Sequence, residues 1–229
     1  MIDERDRDRF YRNILSATFP RLMPADRQKP GCITDKFLDL IVEYGMPLKQ
    51  VEPQIGNTFT GWASLTESFA DEYKIPINII RRESGKNLTA NTKAQSFLQV
   101  AEQMGCQMPP EAVSELQEAM VPPYLILRIE GDEYGAAAVL DGVLMEMLAL
   151  EYRSDLYVLF SSIWEAMVMP VNAGMPADEI RNMHELIQKS EVEENERLSD
   201  NVYLYSRESH TISIIGGDPH DPDNRYQYR

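Results

Sequence analysis

Apolar positions along this chain recur with two different spacings, and the change falls near Pro122. Before it the spacing is mostly helical. Residues 4–18 place Phe10, Tyr11, Ile14 and Leu15 on one stripe, and Pro20 ends the run. Thr34 is placed to cap a second helix, with Phe37, Leu40, Ile41 and Tyr44 on its face and Gly45 past its end. Thr60 is placed to cap a third, with Trp62, Leu65, Phe69 and Tyr73 inward. IPINII, residues 75–80, reads as a short strand, and RRESGKN as a loop. Thr89 then caps a helix that buries Ala94, Phe97, Leu98 and Ala101, and Pro110 opens another that buries Val113, Leu116 and Met120.

After Pro122 the period shortens to two. PYLILRIE predicts a strand, Gly131–Asp132 a turn, and YGAAAV a returning strand. Asp141 caps DGVLMEMLALEY, a helix apolar on nearly every side, which predicts burial all round. LYVLF and WEAMVMP read as strands. Pro176, Asp178 and Glu179 open a helix faced by Ile180, Met183 and Ile187. VYLYS and TISII pair as a hairpin. The polar, Pro-containing tail 216–229 reads as disordered.

These elements predict an α+β fold. A mainly helical region, 1–120, packs with a mostly antiparallel sheet over 121–215 in the order β-β-α-β-β-α-β-β. No strict repeat divides the chain.

Charge narrows the function classes. The net charge is −15, and residues 101–229 hold eight Lys/Arg against twenty-four Asp/Glu, so nearly all of it lies in the second half. Nucleic-acid affinity rests on Lys/Arg displacing counterions, so a DNA or RNA ligand is not expected. An acidic face suits a basic protein partner. Glu191, Glu193, Glu194, Glu196 and Asp200, in the run EVEENERLSD, are the candidate interaction surface. No apolar run approaches the ~18 residues that span a bilayer, and MIDERDRDRF lacks the apolar segment of a secretory signal. Cys32 and Cys106 stand alone, as reduced thiols do. The expected setting is cytoplasmic.

Three motifs stop short of known chemistry. IIRRESGKN lacks the first glycine of a phosphate loop and has Asn87 after Lys86. His184-Glu185-Leu-Ile-Gln188 lacks the second imidazole of a zinc helix, which predicts a packed histidine. Asp218, His220, Asp221 and Asp223 lack the glycine and distal glutamate of a calcium loop. No cofactor and no metal are expected. The remaining candidate is SSIWE, residues 161–165. Ser161 and Ser162 could serve as nucleophiles with Glu165 beside them, but no G-x-S-x-G elbow surrounds them. The competing reading is a bend in which the serines satisfy local backbone groups.

Two pieces, YGAAAVLDGVLMEMLALEYRSDLYVLFSSIWEAMVMP and RLSDNVYLYS, carry a resemblance. From Tyr124 to about Ile215 the chain resembles an uncharacterised family of bacterial proteins, mostly from Firmicutes, known as a domain of unknown function. In that family the first piece ends Leu-Pro-Ser-Ser-Ile-His-Glu, which Ser161, Ser162, Ile163 and Glu165 match. The second reads Leu-Ser-Asp, two residues, then Tyr-x-Tyr, which Leu198, Ser199, Asp200, Tyr203 and Tyr205 match. Phe160 stands in place of the proline and Trp164 in place of the histidine. The resemblance implies that any chemistry of that histidine is lost here.

The favoured expectation is a non-enzymatic protein-binding or regulatory module. The alternative is a hydrolase-like enzyme with its site at the Ser161–Glu165 bend. A third reading is an assembly role, with a sheet edge pairing two copies into a homodimer.

Overall fold

A computed structural model describes residues 4–51, 58–103, 105–106, 108–119, 124–130, 134–160, 162–218 and 221–228. The chain opens with α1 (Glu4–Ser16) and β1 (Phe19–Pro24), then β2 (Thr34–Phe37), β3 (Leu40–Val51) and β4 (Thr58–Ser64). Helices α2 (Glu67–Tyr73) and α3 (Ile77–Asn91) follow, then β5 (Thr92–Ser96), α4 (Phe97–Gln103) and α5 (Pro110–Ala119). The second half runs β6 (Leu125–Ile129), a 3-10 helix (Gly135–Leu140), α6 (Gly142–Tyr152), β7 (Leu156–Leu159) and β8 (Ala166–Pro170). It ends with α7 (Ala177–Glu191), β9 (Val202–Ser206), β10 (Thr211–Ile214) and β11 (Arg225–Gln227).

The fold is α+β. Its larger sheet has seven antiparallel strands in the order β11-β10-β9-β7-β8-β6-β5. A smaller sheet is built on β3. The first half of β3 lies between β1 and β2, and its second half pairs with β4. One hydrophobic cluster joins the two sheets: Leu22, Phe37, Leu40 and Val42 meet Leu127, Val158, Phe160, Tyr203 and Tyr205, with Ile80 and Leu88 of α3 and Met145 and Leu148 of α6. Successive strand residues point to opposite faces, so Tyr157 and Leu159 belong to a second cluster, with Met169, Val202 and Ile180 of α7. α6 and α7 therefore pack on opposite faces of the larger sheet.

The first half departs from its sequence reading. The segment expected as a helix from Thr34 is a hairpin, β2 and β3, turning at Leu38 (φ 57°) and Asp39. LIVEYG satisfies both periods, and sheet partners on each side decide for strand. Thr60 lies inside β4. The cap is Thr66, whose Oγ1 accepts from the Phe69 N–H at 3.1 Å. IPINII is not a strand: Pro76 precedes α3, which buries Ile80, Ser84 and Leu88 one turn apart and carries RRESGKN within it. Thr89 caps nothing, since β5 follows α3 directly and α4 begins at Phe97.

In the second half, YGAAAV is a 3-10 helix and not a strand, with Gly135 to Val139 all buried. The expected Gly131–Asp132 turn lies outside the described residues. Asp141 does cap α6, accepting from the N–H groups of Val143 and Leu144. α6 is not buried all round, as its outer face is open. α7 turns Ile180, His184 and Gln188 fully inward, with Met183 and Ile187 at the edge. The tail is ordered where described: β11 pairs with β10, and Tyr226 and Tyr228 pack against the core.

Candidate functional site

The bend between β7 and β8 holds the serine candidates. Ser161 lies outside the described residues. Ser162 is 5% exposed, and its Oγ accepts from the Trp164 N–H at 3.2 Å, a turn in which the hydroxyl replaces a backbone acceptor. The Ile163 N–H donates to the Glu196 carbonyl at 2.9 Å, and the Ile163 carbonyl accepts from the Ala136 N–H at 3.3 Å. The Trp164 ring packs on Tyr134 at 5.7 Å. Gly135 passes so close to the Trp164 carbonyl that a Cβ there would collide with backbone. The bend is thus fastened on two sides. Glu165 follows it, half-buried; the pairing of Leu127 with Ala166 places it across from Arg128. Burial raises the Glu165 pKa, and the Arg128 charge opposes that in part.

His184 sits behind this bend on α7, fully buried; among the described residues neither ring nitrogen makes a hydrogen bond of good geometry, although the backbone of Phe160 and of Asp200 lies close by. Burial lowers its pKa, with the backbone of Phe160 and Asp200 and the Asp200 charge opposing. Next to it, Gln188 donates to the Ser199 carbonyl at 2.8 Å. A pH dependence follows. The folded state holds His184 neutral, while the unfolded chain takes up its proton near pH ~6.5. Stability is therefore full above that value and is lost as pH falls from about 6.5 toward the depressed folded pKa. Urea unfolding at pH 7 and pH 5.5 should show this loss, and a His184→Gln variant should show less of it. Equal losses in both proteins would remove His184 as the cause.

The segment from Leu198 to Tyr203 gathers around Asp39. Its carboxylate accepts from Ser199 Oγ at 2.7 Å, Asn201 Nδ2 at 3.1 Å and Tyr203 Oη at 2.5 Å. Ser199 Oγ in turn accepts from the Asn201 N–H at 3.1 Å. Ser199 and Tyr203 thus hold the β2–β3 turn against the larger sheet.

The acidic run lies beside the bend, joined to it through Glu196. Glu191, Glu193, Glu194 and Asp200 are exposed and Glu196 is half-buried. Arg27 donates to the carbonyls of Glu194 and Asn195, so the backbone of the run is docked while Glu191, Glu193, Glu194 and Asp200 stay exposed. The structure thus brings the bend, the acidic run and His184, separate in the sequence, onto one seam.

A second cluster adjoins the bend through Tyr134. The Arg21 guanidinium lies over Trp62 at 4.7 Å and Tyr134 at 5.2 Å, and pairs at 2.5 Å with Glu43, whose side chain is 2% exposed. Burial and the Glu43 charge raise the pKa of the nearby Cys32, which disfavours a reactive thiolate. Among the described residues no group of three or more His, Cys, Asp or Glu is placed to hold a metal ion. No described helix is long and apolar enough to cross a membrane.

The sequence reading missed the outer face of α6. Val143 is 59% exposed, Met147 60% and Leu150 57%. At about 100° per residue, these three lie within about 60° of arc. Glu146 follows about 40° beyond Leu150 and Glu151 about 40° beyond Met147, both exposed. The inward arc is Met145, Leu148 and Ala149. The signal was present: a helix apolar on both sides has a second apolar face that its own core does not need.

A model of a family of unknown function, DUF5688, matches residues 32–207, most of the chain. No curated protein and no solved structure matches it.

Proposed function

The chain belongs to that family of unknown function, and we propose that it is a non-enzymatic protein-binding module whose docking face is the outer side of α6. One observation carries the reading: Val143, Met147 and Leu150 form a continuous ridge on one helix, each more than half exposed. Large apolar side chains grouped in this way on a surface mark an interaction site more often than chance exposure does. Positions i, i+4 and i+7 are also the spacing by which helices grip one another. The acidic second half gives such a surface a preference for basic partners. The geometry of the bend agrees with a module that does no chemistry. The Ser162 hydroxyl is buried and engaged in a turn, which suits a structural role better than that of a nucleophile.

The test is a comparison of two tagged full-length chains in a lysate of the source organism. One is the natural sequence and the other carries Val143→Ser, Met147→Ser and Leu150→Ser. These sites are exposed, so the variant should unfold within about 1 kcal/mol of the parent. A protein retained by the first and lost by the second supports the reading. Identical retention by both refutes α6 as the docking face.

A further inference from the structure

We infer that the α6 ridge receives an amphipathic helix whose apolar stripe is flanked by lysine or arginine, and that the selecting groups are Glu146 and Glu151. The inference rests on the binding reading above and adds the chemistry of the partner. The ridge fixes the apolar part. Val143, Met147 and Leu150 span two helical turns, and a partner helix with its own i, i+4, i+7 stripe can cover them. Met147 at the centre is unbranched and adapts to the shape it meets.

The flanks fix the charge. Each side of the ridge is bordered by an exposed carboxylate, Glu146 on one and Glu151 on the other. A helix lying on the ridge brings its own flanking residues next to these two side chains. Basic flanks make ion pairs at the rim, and acidic flanks set like charges together. α6 itself carries no lysine or arginine, and Arg153 follows its last residue in a left-handed conformation (φ 51°). The same flanks argue against a second copy as occupant. An antiparallel two-fold pairing of α6 with itself sets each glutamate flank against its own copy. The net charge of −15 adds repulsion between whole chains.

Two synthetic helix-forming peptides test this, titrated by fluorescence anisotropy against the full chain. Both carry leucine at i, i+4 and i+7; one has lysine on both flanks and the other glutamate. The lysine peptide is expected to bind at least about tenfold more tightly, and to weaken as salt rises. Glu146→Lys with Glu151→Lys should reverse the preference, and the triple serine variant should bind neither. Equal binding of both peptides would overturn the charge selection while leaving the ridge a docking face. Binding of neither peptide would overturn the inference. Sedimentation would then separate a dimer, in which a second copy covers the ridge, from a monomer. The lysate comparison judges the wider binding reading independently of all these outcomes.

Discussion

Replacing Asp39 with alanine is expected to lower the free energy of unfolding by about 3–4 kcal/mol, among the larger effects a single substitution produces. The carboxylate is the common acceptor for Ser199, Asn201 and Tyr203. Hydrogen bonds to a charged group contribute about 1.5–3 kcal/mol each when isolated, and bonds sharing one acceptor sum to less. The greater cost lies in what alanine leaves behind. Tyr203 is fully buried, with its ring against Phe160 at 4.8 Å, so removing the carboxylate leaves a buried hydroxyl without that acceptor. The direction of the Tyr203 pKa fits a permanent donor, since burial and then the Asp39 charge both raise it. Asp39→Asn should cost about half as much, because one acceptor oxygen remains. Urea unfolding of the three proteins decides the matter. A loss below about 1 kcal/mol for the alanine variant would mean that these bonds contribute little.

Ending the chain after Ile215 is expected to cost a similar amount, about 3–5 kcal/mol, because the segment supplies two aromatics packed against the core and a sheet strand. Tyr226 meets Phe37 edge-on at 4.8 Å. Tyr228 meets Tyr205 at 5.6 Å, and its hydroxyl donates to the Val139 carbonyl at 2.9 Å. The strand edge of β10 would also lose β11 and the acceptor Asn224 Oδ1, 3.2 Å from the Ile214 N–H. Tyr226→Ala with Tyr228→Ala in the full chain should reproduce most of the loss. A shortened protein that melts at the same temperature as the parent would show the segment to be dispensable.

That segment also shows where sequence reading works here and where it fails. Its Gly, Asp and Pro content reads as disorder, and two tyrosines at a spacing of two were the only strand signal. The hairpins of the second half were legible because each strand pairs with a neighbour close in sequence, as β9 does with β10. Asp141 was legible as a cap for the same reason: its partners are two and three residues away. β1, β2 and β3 were not legible, because LIVEYG fits either period and long-range partners decide it. YGAAAV failed because its Gly-Ala run has little strand preference of its own, and its small residues here let the 3-10 helix pass close to the Trp164 carbonyl. The bend at Ser162 was foreseen as a bend. Its neighbours were not, since the Glu196 carbonyl, the Ala136 N–H and the Tyr134 ring reach it from segments distant in sequence. The α6 ridge was visible in the sequence but taken for core.

The contacts of Phe37 have a consequence for how the protein is made. Its ring touches Phe160 and Tyr226, so it is enclosed by residues synthesised long after it. Contacts of such long sequence separation slow folding, because the chain between them must be ordered first. On the ribosome, the small sheet can form its hydrogen bonds while the surface bearing Phe37 still lacks its cover. A nascent chain stalled before Arg225 therefore presents an unfinished apolar face, the kind of surface that chaperones bind.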